Sequence, residues 1–165
     1  MDSTQKPIFT NIIQVGIIVN DIKQTAKKFS EIYGIGPWYI KKYDFNNVSD
    51  MHLYSKRQNY SMNLGLCFLG NIQIELIEPL DESIYQEFYQ RHGEGLHHLK
   101  MEVDDYKKVI KFLKIKGIDV IQSGGAHQGR RRYAYLNTKE DLGFIVEIAE
   151  GSPDFKRPDP DYWYP

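Results

Sequence analysis

The chain has 165 residues, of which 21 are basic and 22 are acidic, so its formal net charge is -1 at pH 7. This length allows one domain with its own core, and the balanced charge gives no ground for binding nucleic acid or an anionic membrane. Its single cysteine, Cys67, lies in an apolar run and cannot form an internal disulfide, and no apolar run approaches the ~20 residues of a membrane span, so we expect a cytoplasmic protein.

The first half of the chain predicts a strand, a helix and three more strands. "QVGIIVNDIKQTAKKFSEIYGI" begins at Gln14 and contains Asp21, which can cap a helix. Gly34, near its end, favours a helix stop. Three segments rich in β-branched and aromatic residues follow: "PWYIKKYDF", "YSMNLGLCFLG" and "IQIELIEP" at 72–79.

The second half repeats this layout about 84 residues later. "HLKMEVDDYKKVIKFLKIKGI" begins at His98, places Asp105 at the helix start and has Gly117 near its end, where it favours a helix stop. The strand candidates "IDVIQ", "RRRYAYL" and "FIVEIAEG" at 144–151 follow. A repeat of this length indicates two copies of one structural unit.

The repeat predicts an α+β fold built from two paired βαβββ modules. We expect one domain over residues 1–151, with modules at about 10–80 and 95–150. The tail at 152–165 contains several prolines and lies outside the repeat. We expect it to be an extended arm that packs its aromatic side chains on the domain or on a second copy, with a lid over the site as the alternative. These side chains are Phe155, Tyr162, Trp163 and Tyr164.

Four polar residues occupy matched strand positions in the two modules. Gln14 corresponds to His98, and Glu75 corresponds to Glu147. A carboxylate within an apolar strand is costly unless it is paired, hydrogen-bonded or bound to a metal. If the modules pair about a pseudo-twofold axis, the four side chains meet near it. Two carboxylates, a glutamine oxygen and an imidazole nitrogen suit a divalent cation, and cobalt, manganese, nickel, magnesium and zinc all fit.

Two histidines stand side by side in "GEGLHHLKMEVDD". Successive side chains of a strand point to opposite faces, so we expect only one of the two to face the interior. His98 lies five residues before Val103, as Gln14 lies five residues before Val19. The repeat therefore favours His98, with His97 pointing the other way.

The modules, with "GLHH" before one strand and "VEI" in the last, resemble the vicinal oxygen chelate superfamily over about residues 10–150. "IELIEPLDESIYQEFYQRHGEGLHHLKMEVDD" is similar to the methylmalonyl-CoA epimerases, in which an "ELL.PL..DSPI..FL" segment runs into "GLHH" and a "VDD" turn. The resemblance implies a barrel-shaped sheet, a homodimer and metal ligands at four positions. These are Gln14, Glu75, His98 and Glu147.

The resemblance further implies epimerisation of methylmalonyl-CoA or a similar acyl-CoA, through proton abstraction next to the thioester and a metal-stabilised enolate. Glu147 is then the first candidate base and Glu75 the partner acid. The epimerases commonly have histidine where this chain has Gln14. Some of them also carry an extra catalytic glutamate on a middle strand, but residues 51–74 here contain no acid.

Two alternatives stay open. The Gln, Glu, His, Glu ligand set is similar to that of some glyoxalase I enzymes, which implies a lyase of the lactoylglutathione type. The second is a metal-free protein that binds small molecules on the same fold, because a fold does not decide a function.

"GGAHQGRRRYAYL" supplies three consecutive arginines, Arg130, Arg131 and Arg132, beside a glycine-rich loop. Guanidinium groups suit a carboxylate or the phosphates of coenzyme A. If the strand starts at these residues, alternation allows one arginine at most to face inward and contact the substrate. The alternative is a solvated basic hairpin in which none of the three does.

Overall fold

The computed structural model describes residues 7–126, 130–151 and 157–165. The helices are α1 (Ile22–Tyr33), α2 (Ile84–His92), α3 (Tyr106–Ile115) and α4 (Lys139–Leu142). The strands are β1 (Ile12–Ile18), β2 (Trp38–Tyr43), β3 (Val48–Leu53), β4 (Lys56–Arg57), β5 (Met62–Leu69), β6 (Ile72–Pro79), β7 (Gly95–Met101), β8 (Val120–Ala126), β9 (Arg131–Leu136), β10 (Ile145–Gly151) and β11 (Tyr162–Tyr164).

These strands form one sheet in the order β11-β2-β5-β6-β1-β7-β10-β9-β8-β3-β4. The first module contributes β2-β5-β6-β1 and the second contributes β7-β10-β9-β8. In each module the first strand pairs in parallel with the last, as β1 does with β6 and β7 with β10. The modules join where β1 and β7 pair antiparallel. The predicted α+β class and the two paired modules are confirmed.

The sheet is curved and open. β2 and β3 lie near opposite ends of the strand order, yet only residues 44–47 connect them. Five Cα steps span at most ~19 Å, so the two ends of the sheet must approach each other there. β11 and β4 are its edge strands. The predicted barrel shape is therefore an unclosed sheet that curves around an interior.

The hairpin of β3 and β4 and the helices α2 and α4 were not predicted. The hairpin of β3 and β4 crosses to the second module, where β3 pairs with β8. Its stability thus depends on a partner about 70 residues away, which local sequence patterns do not reveal. Helix α2 links the modules, and the Ser83 hydroxyl caps it by accepting a hydrogen bond from the Gln86 amide.

Helices α1 and α3 begin and end as predicted. Asp21 accepts a hydrogen bond from the Gln24 amide, and Asp105 accepts one from the Lys108 amide. Gly34, with φ 66°, ends α1 in the left-handed region that favours glycine. Each helix covers one module with an apolar cluster on the outer face of the sheet, and Cys67 is buried in the first of these clusters.

A third cluster lies on the inner face and includes Tyr43, Met62, Tyr85, Tyr133 and Tyr135. It surrounds the polar side chains described below. The described part of the tail pairs antiparallel with β2 as strand β11. Phe155 lies outside the described residues. Among the described residues, no helix is both long and apolar enough to cross a membrane.

Candidate metal centre

The four matched polar positions meet on the inner face of the sheet. They lie on its four central strands, with Glu75 on β6, Gln14 on β1, His98 on β7 and Glu147 on β10. Each of these residues is at most 6 % exposed. The structure thus brings together the four side chains that the repeat singled out, although their role as metal ligands stays a prediction.

His98 lies between the two carboxylates. Its Nε2 atom is 3.5 Å from Glu75 Oε2 and 3.1 Å from Glu147 Oε2. Gln14 Nε2 donates a hydrogen bond of 3.2 Å to Glu75 Oε1. One ligand atom from each of Glu75, His98 and Glu147 falls within 4.8 Å of the other two. This spacing is compact enough for one ion to contact all three side chains.

The buried acceptor atoms of the cluster fit a cation. Gln14 Oε1, His98 Nε2 and Glu147 Oε2 are buried, and none has a hydrogen-bond partner with suitable angles among the described residues, although His98 Nε2 and Glu147 Oε2 are 3.1 Å apart. A buried acceptor without a partner is costly, and acceptors that face one another need a proton or a cation between them. Hard carboxylate and amide oxygens with one imidazole nitrogen are suitable donors for a divalent metal.

His97 fixes the orientation of His98. The register of β7 against β1 shifts between the Gly16–His98 and Ile17–Leu96 pairs, so His97 is the extra residue of a β-bulge. Both histidines are buried, and both rings contact Tyr135. The expectation that His97 points to the other face is therefore wrong, because the bulge interrupts the alternation of side chains.

The two histidine Nδ1 atoms lie 3.1 Å apart, at hydrogen-bonding distance. Burial and the neighbouring His98 lower the pKa of His97 well below its usual value, so His97 is neutral. A hydrogen bond on Nδ1 leaves His98 Nε2 directed at the carboxylates. This is the usual way in which a neighbouring group orients a histidine ligand.

Gly16 makes room for the His98 ring. A Cβ atom at Gly16 would lie 1.9 Å from His98 Cε1 and 2.2 Å from His98 Nδ1. No side chain larger than hydrogen fits there unless the ring moves. Sequence reasoning missed this role, because a glycine in a strand does not reveal which side chain faces it.

Lys100 is a second residue that sequence reasoning missed. Its side chain is buried, and Nζ lies 2.7 Å from Glu147 Oε1. Lys100 lies two residues after His98 on β7 and thus on the same face, and the 84-residue offset of the repeat pairs it with Gly16. Alternation from His98 would have found it.

Lys100 makes the pKa values of the two carboxyl groups differ. Burial raises the pKa of Glu147, but the Lys100 ammonium and His98 outweigh burial and lower it to about 2. Burial, with the nearby Glu147 charge, raises the pKa of Glu75. Glu147 is therefore held ionised, whereas Glu75 is the carboxyl that gains a proton more readily.

A pocket opens above this polar floor. Tyr43, Tyr85 and Tyr133 line it, and so does Arg131 from β9. Arg131 is half-buried, whereas Arg130 and Arg132 are exposed. One arginine of the three thus faces inward, and its contact with a substrate stays a prediction.

Comparison with known proteins gives one family. The model of the Glyoxalase/Bleomycin resistance protein/Dioxygenase superfamily matches residues 13–135. A curated relative, the mitochondrial methylmalonyl-CoA epimerase of Dictyostelium discoideum, is 32% identical over 87 residues, which cover 50% of this chain. The alignment spans 51% of that relative, so the chain matches about half the length of the curated protein.

Solved structures share the fold. A hypothetical protein from Bacillus halodurans has a TM-score of 0.65 and 23% identity, covering 89% of this chain and 98% of its own. A methylmalonyl-CoA epimerase from Mycobacterium tuberculosis has a TM-score of 0.64 and 19% identity, covering 92% and 95%. A Streptomyces coelicolor epimerase variant with 2-nitronate-propionyl-CoA bound has a TM-score of 0.63 and 19% identity, covering 91% and 99%.

Replacing Gly16 with alanine tests the close approach to His98. We expect Gly16→Ala to lower the free energy of unfolding by about 1–3 kcal/mol, because the added methyl group overpacks a filled space. Urea unfolding measures this change. Gly151→Ala is the control, since a Cβ at Gly151 meets nothing within 4 Å. Equal effects of the two substitutions would contradict the proposed contact.

Replacing Lys100 tests the charge on Glu147. The folded-state pKa of about 2 lies below the ordinary 4.5, so ionised Glu147 stabilises the fold above pH 4.5, and this stabilisation is lost as pH falls toward 2. We expect Lys100→Met to lower the free energy of unfolding by about 3–5 kcal/mol at pH 7, because it leaves the buried Glu147 carboxylate without its partner. This loss of stability should be smaller at pH 3.

Urea unfolding of metal-free protein at both pH values measures this deficit. Lys108→Met is the matched control, because Lys108 pairs with Asp105 on the surface and its side chain is 86% exposed. An exposed ion pair of this kind contributes at most ~1 kcal/mol to the free energy of unfolding. A Lys100→Met deficit of the same size at pH 7 and pH 3 would be evidence against the ion pair.

Proposed function

Because this chain belongs to the Glyoxalase/Bleomycin resistance protein/Dioxygenase superfamily, we propose that it is a metal-dependent epimerase of methylmalonyl-CoA or a similar acyl-CoA. One observation carries the proposal. The carboxyl groups of Glu75 and Glu147 and the amide of Gln14 line the floor of a pocket, and the fully buried His98 contacts both carboxyl groups from behind it. Buried groups with perturbed pKa values in such a pocket are typical of an active site.

The floor supplies the groups that proton transfer next to a carbonyl needs. Gln14, Glu75, His98 and Glu147 would hold a divalent cation, which would supply a Lewis acid for the charge that develops on the substrate's thioester oxygen. Epimerisation removes a proton from one face of a carbon and returns a proton to the other. Glu75 and Glu147 stand on the two sides of His98 and can address the two faces.

We propose the opposite ranking of the two acids from the one that the sequence suggested, in which Glu147 was the first candidate base. Lys100 binds Glu147 and keeps it ionised, which makes it the weaker base. Burial raises the pKa of Glu75, and a base whose pKa lies closer to the working pH transfers protons more efficiently. Glu75 is therefore the first candidate base, and Glu147 is the candidate for the opposite face.

The comparisons support the substrate class. The Dictyostelium relative is a methylmalonyl-CoA epimerase, and the Streptomyces structure contains an acyl-CoA analogue. Arg131 on the pocket wall is suited to an anionic group of such a substrate. The homodimer and the cytoplasmic location stay predictions.

Deuterium exchange tests the reaction. We expect methylmalonyl-CoA incubated with the protein in D2O to gain deuterium at the carbon between thioester and carboxylate, as mass spectrometry can measure. Glu75→Gln should slow the exchange by about 10²-fold or more, because it removes the base. Glu150→Gln, an exposed change on β10, should leave the rate unchanged. Absence of exchange in the unaltered protein would rule out the epimerase.

One observation favours the metal-free binding protein as the second candidate. Lys100 already supplies a positive charge to Glu147. Elemental analysis separates the two candidates. We expect about one divalent ion per chain after reconstitution, lost in His98→Ala and Glu147→Gln because each removes a ligand. His92→Ala changes an exposed histidine and should retain the ion. No ion in the unaltered protein would favour the binding protein.

A further inference from the structure

We propose that the C-terminal strand completes the binding pocket, and that Arg157, which it holds at the pocket mouth, binds an anionic oxygen group of the substrate together with Arg131. The inference rests on the proposed function for the class of ligand. The anionic group is either the acid's own carboxylate or a phosphate of coenzyme A, and both present oxygens to a guanidinium in the same way.

The charges of the pocket fall into an order from floor to mouth. Lys100 is buried at the floor, Arg131 is half-buried on the wall, and Arg157 is exposed, while all three line the same pocket. The two carboxyls that line it, Glu75 and Glu147, lie at the floor. Among the described residues, the lining thus carries one more basic than acidic side chain. The positive charge that no carboxyl group offsets lies on the wall and at the mouth, where it attracts an anion.

The tail holds Arg157 in place through contacts with β2. The guanidinium Cζ lies 5.4 Å from the centre of the Tyr39 ring, and the Tyr39 hydroxyl donates a hydrogen bond of 3.0 Å to the Pro158 carbonyl oxygen. Stacking on an aromatic ring leaves the N–H groups of the guanidinium edge able to bind an oxyanion.

Further contacts fix the residues that follow. Lys41 Nζ donates to the Asp159 carbonyl oxygen at 2.9 Å and pairs with Asp161 Oδ1 at 3.0 Å. Strand β11 then pairs with β2, where Trp163 packs its ring edge-on against Tyr39. Arg157 is therefore attached to the sheet that carries the site, so its position relative to the floor is defined.

Isothermal titration of three probes tests the proposal. Methylmalonate has the carboxylate without coenzyme A, propionyl-CoA has coenzyme A without the second carboxylate, and methylmalonyl-CoA has both. We expect Arg157→Gln to weaken the binding of methylmalonyl-CoA about 10-fold, because the substitution removes a charged hydrogen bond. Arg157→Lys should restore part of the affinity. Arg57→Gln, an exposed change on β4, is the control and should change nothing.

The pattern across the probes identifies the anion. If Arg157→Gln weakens the binding of methylmalonate but not of propionyl-CoA, the arginine contacts the carboxylate. If it weakens the binding of propionyl-CoA but not of methylmalonate, the arginine contacts a phosphate. Trp163→Ala, which removes the ring packed on Tyr39, should weaken the same probes as Arg157→Gln does. Either pattern supports the proposal. Affinities in Arg157→Gln equal to those in Arg57→Gln overturn it, as does a failure of all three probes to bind the unaltered protein.

Epimerase kinetics separate this inference from the proposed function. If methylmalonyl-CoA turns over, Arg157→Gln should raise KM and leave kcat nearly unchanged, because Arg157 binds the substrate away from the reacting carbon. If the ligand binds through Arg157 but gains no deuterium, the binding inference stands and the epimerase fails. If it gains deuterium while Arg157→Gln binds normally, the epimerase stands and this inference fails.

Discussion

The antiparallel pairing of β1 with β7 is the constraint on which the rest of the structure depends. It joins the two modules and places Gly16 directly opposite His98. The His98 ring occupies the space that a side chain at position 16 would fill. The bulge at His97 places a second imidazole at hydrogen-bonding distance from that ring. Because β6 and β10 flank this pair in parallel, their carboxylates come to the same place. The site is thus a property of the joint between the modules.

Burial of two carboxylates at that joint then governs the chemistry. Two like charges within a few ångströms in an apolar interior are unfavourable unless cations compensate them. The chain provides one cation itself, Lys100, and places it on one acid only. The compensation is therefore unequal. Lys100 and His98 lower the pKa of Glu147, whereas burial raises the pKa of Glu75, so two acids in related positions of the repeat acquire different properties.

The asymmetry extends to the ends of the strand order. In the first module β2 is covered by the tail strand β11, and in the second β8 is covered by the hairpin of β3 and β4. The hairpin is inserted within the first module and the tail follows the second, so neither addition has a counterpart in the other module. The tail carries Arg157 to the pocket and the hairpin contributes Val48. The repeated elements of the two modules thus supply the floor, and unrepeated segments supply part of the wall.

Much of this protein was determined by the sequence alone. The repeat predicted the module pair, the caps Asp21 and Asp105, and the meeting of Gln14, Glu75, His98 and Glu147, because these matched polar positions lie on the strands that come together where the two copies join. Only the tertiary structure decided the rest. The bulge at His97, the space at Gly16, the contact of Lys100 with Glu147 and the path of the tail all depend on register and packing between distant segments. Those pairings are set by the free energy of the whole fold, which periodicity within a single strand does not contain.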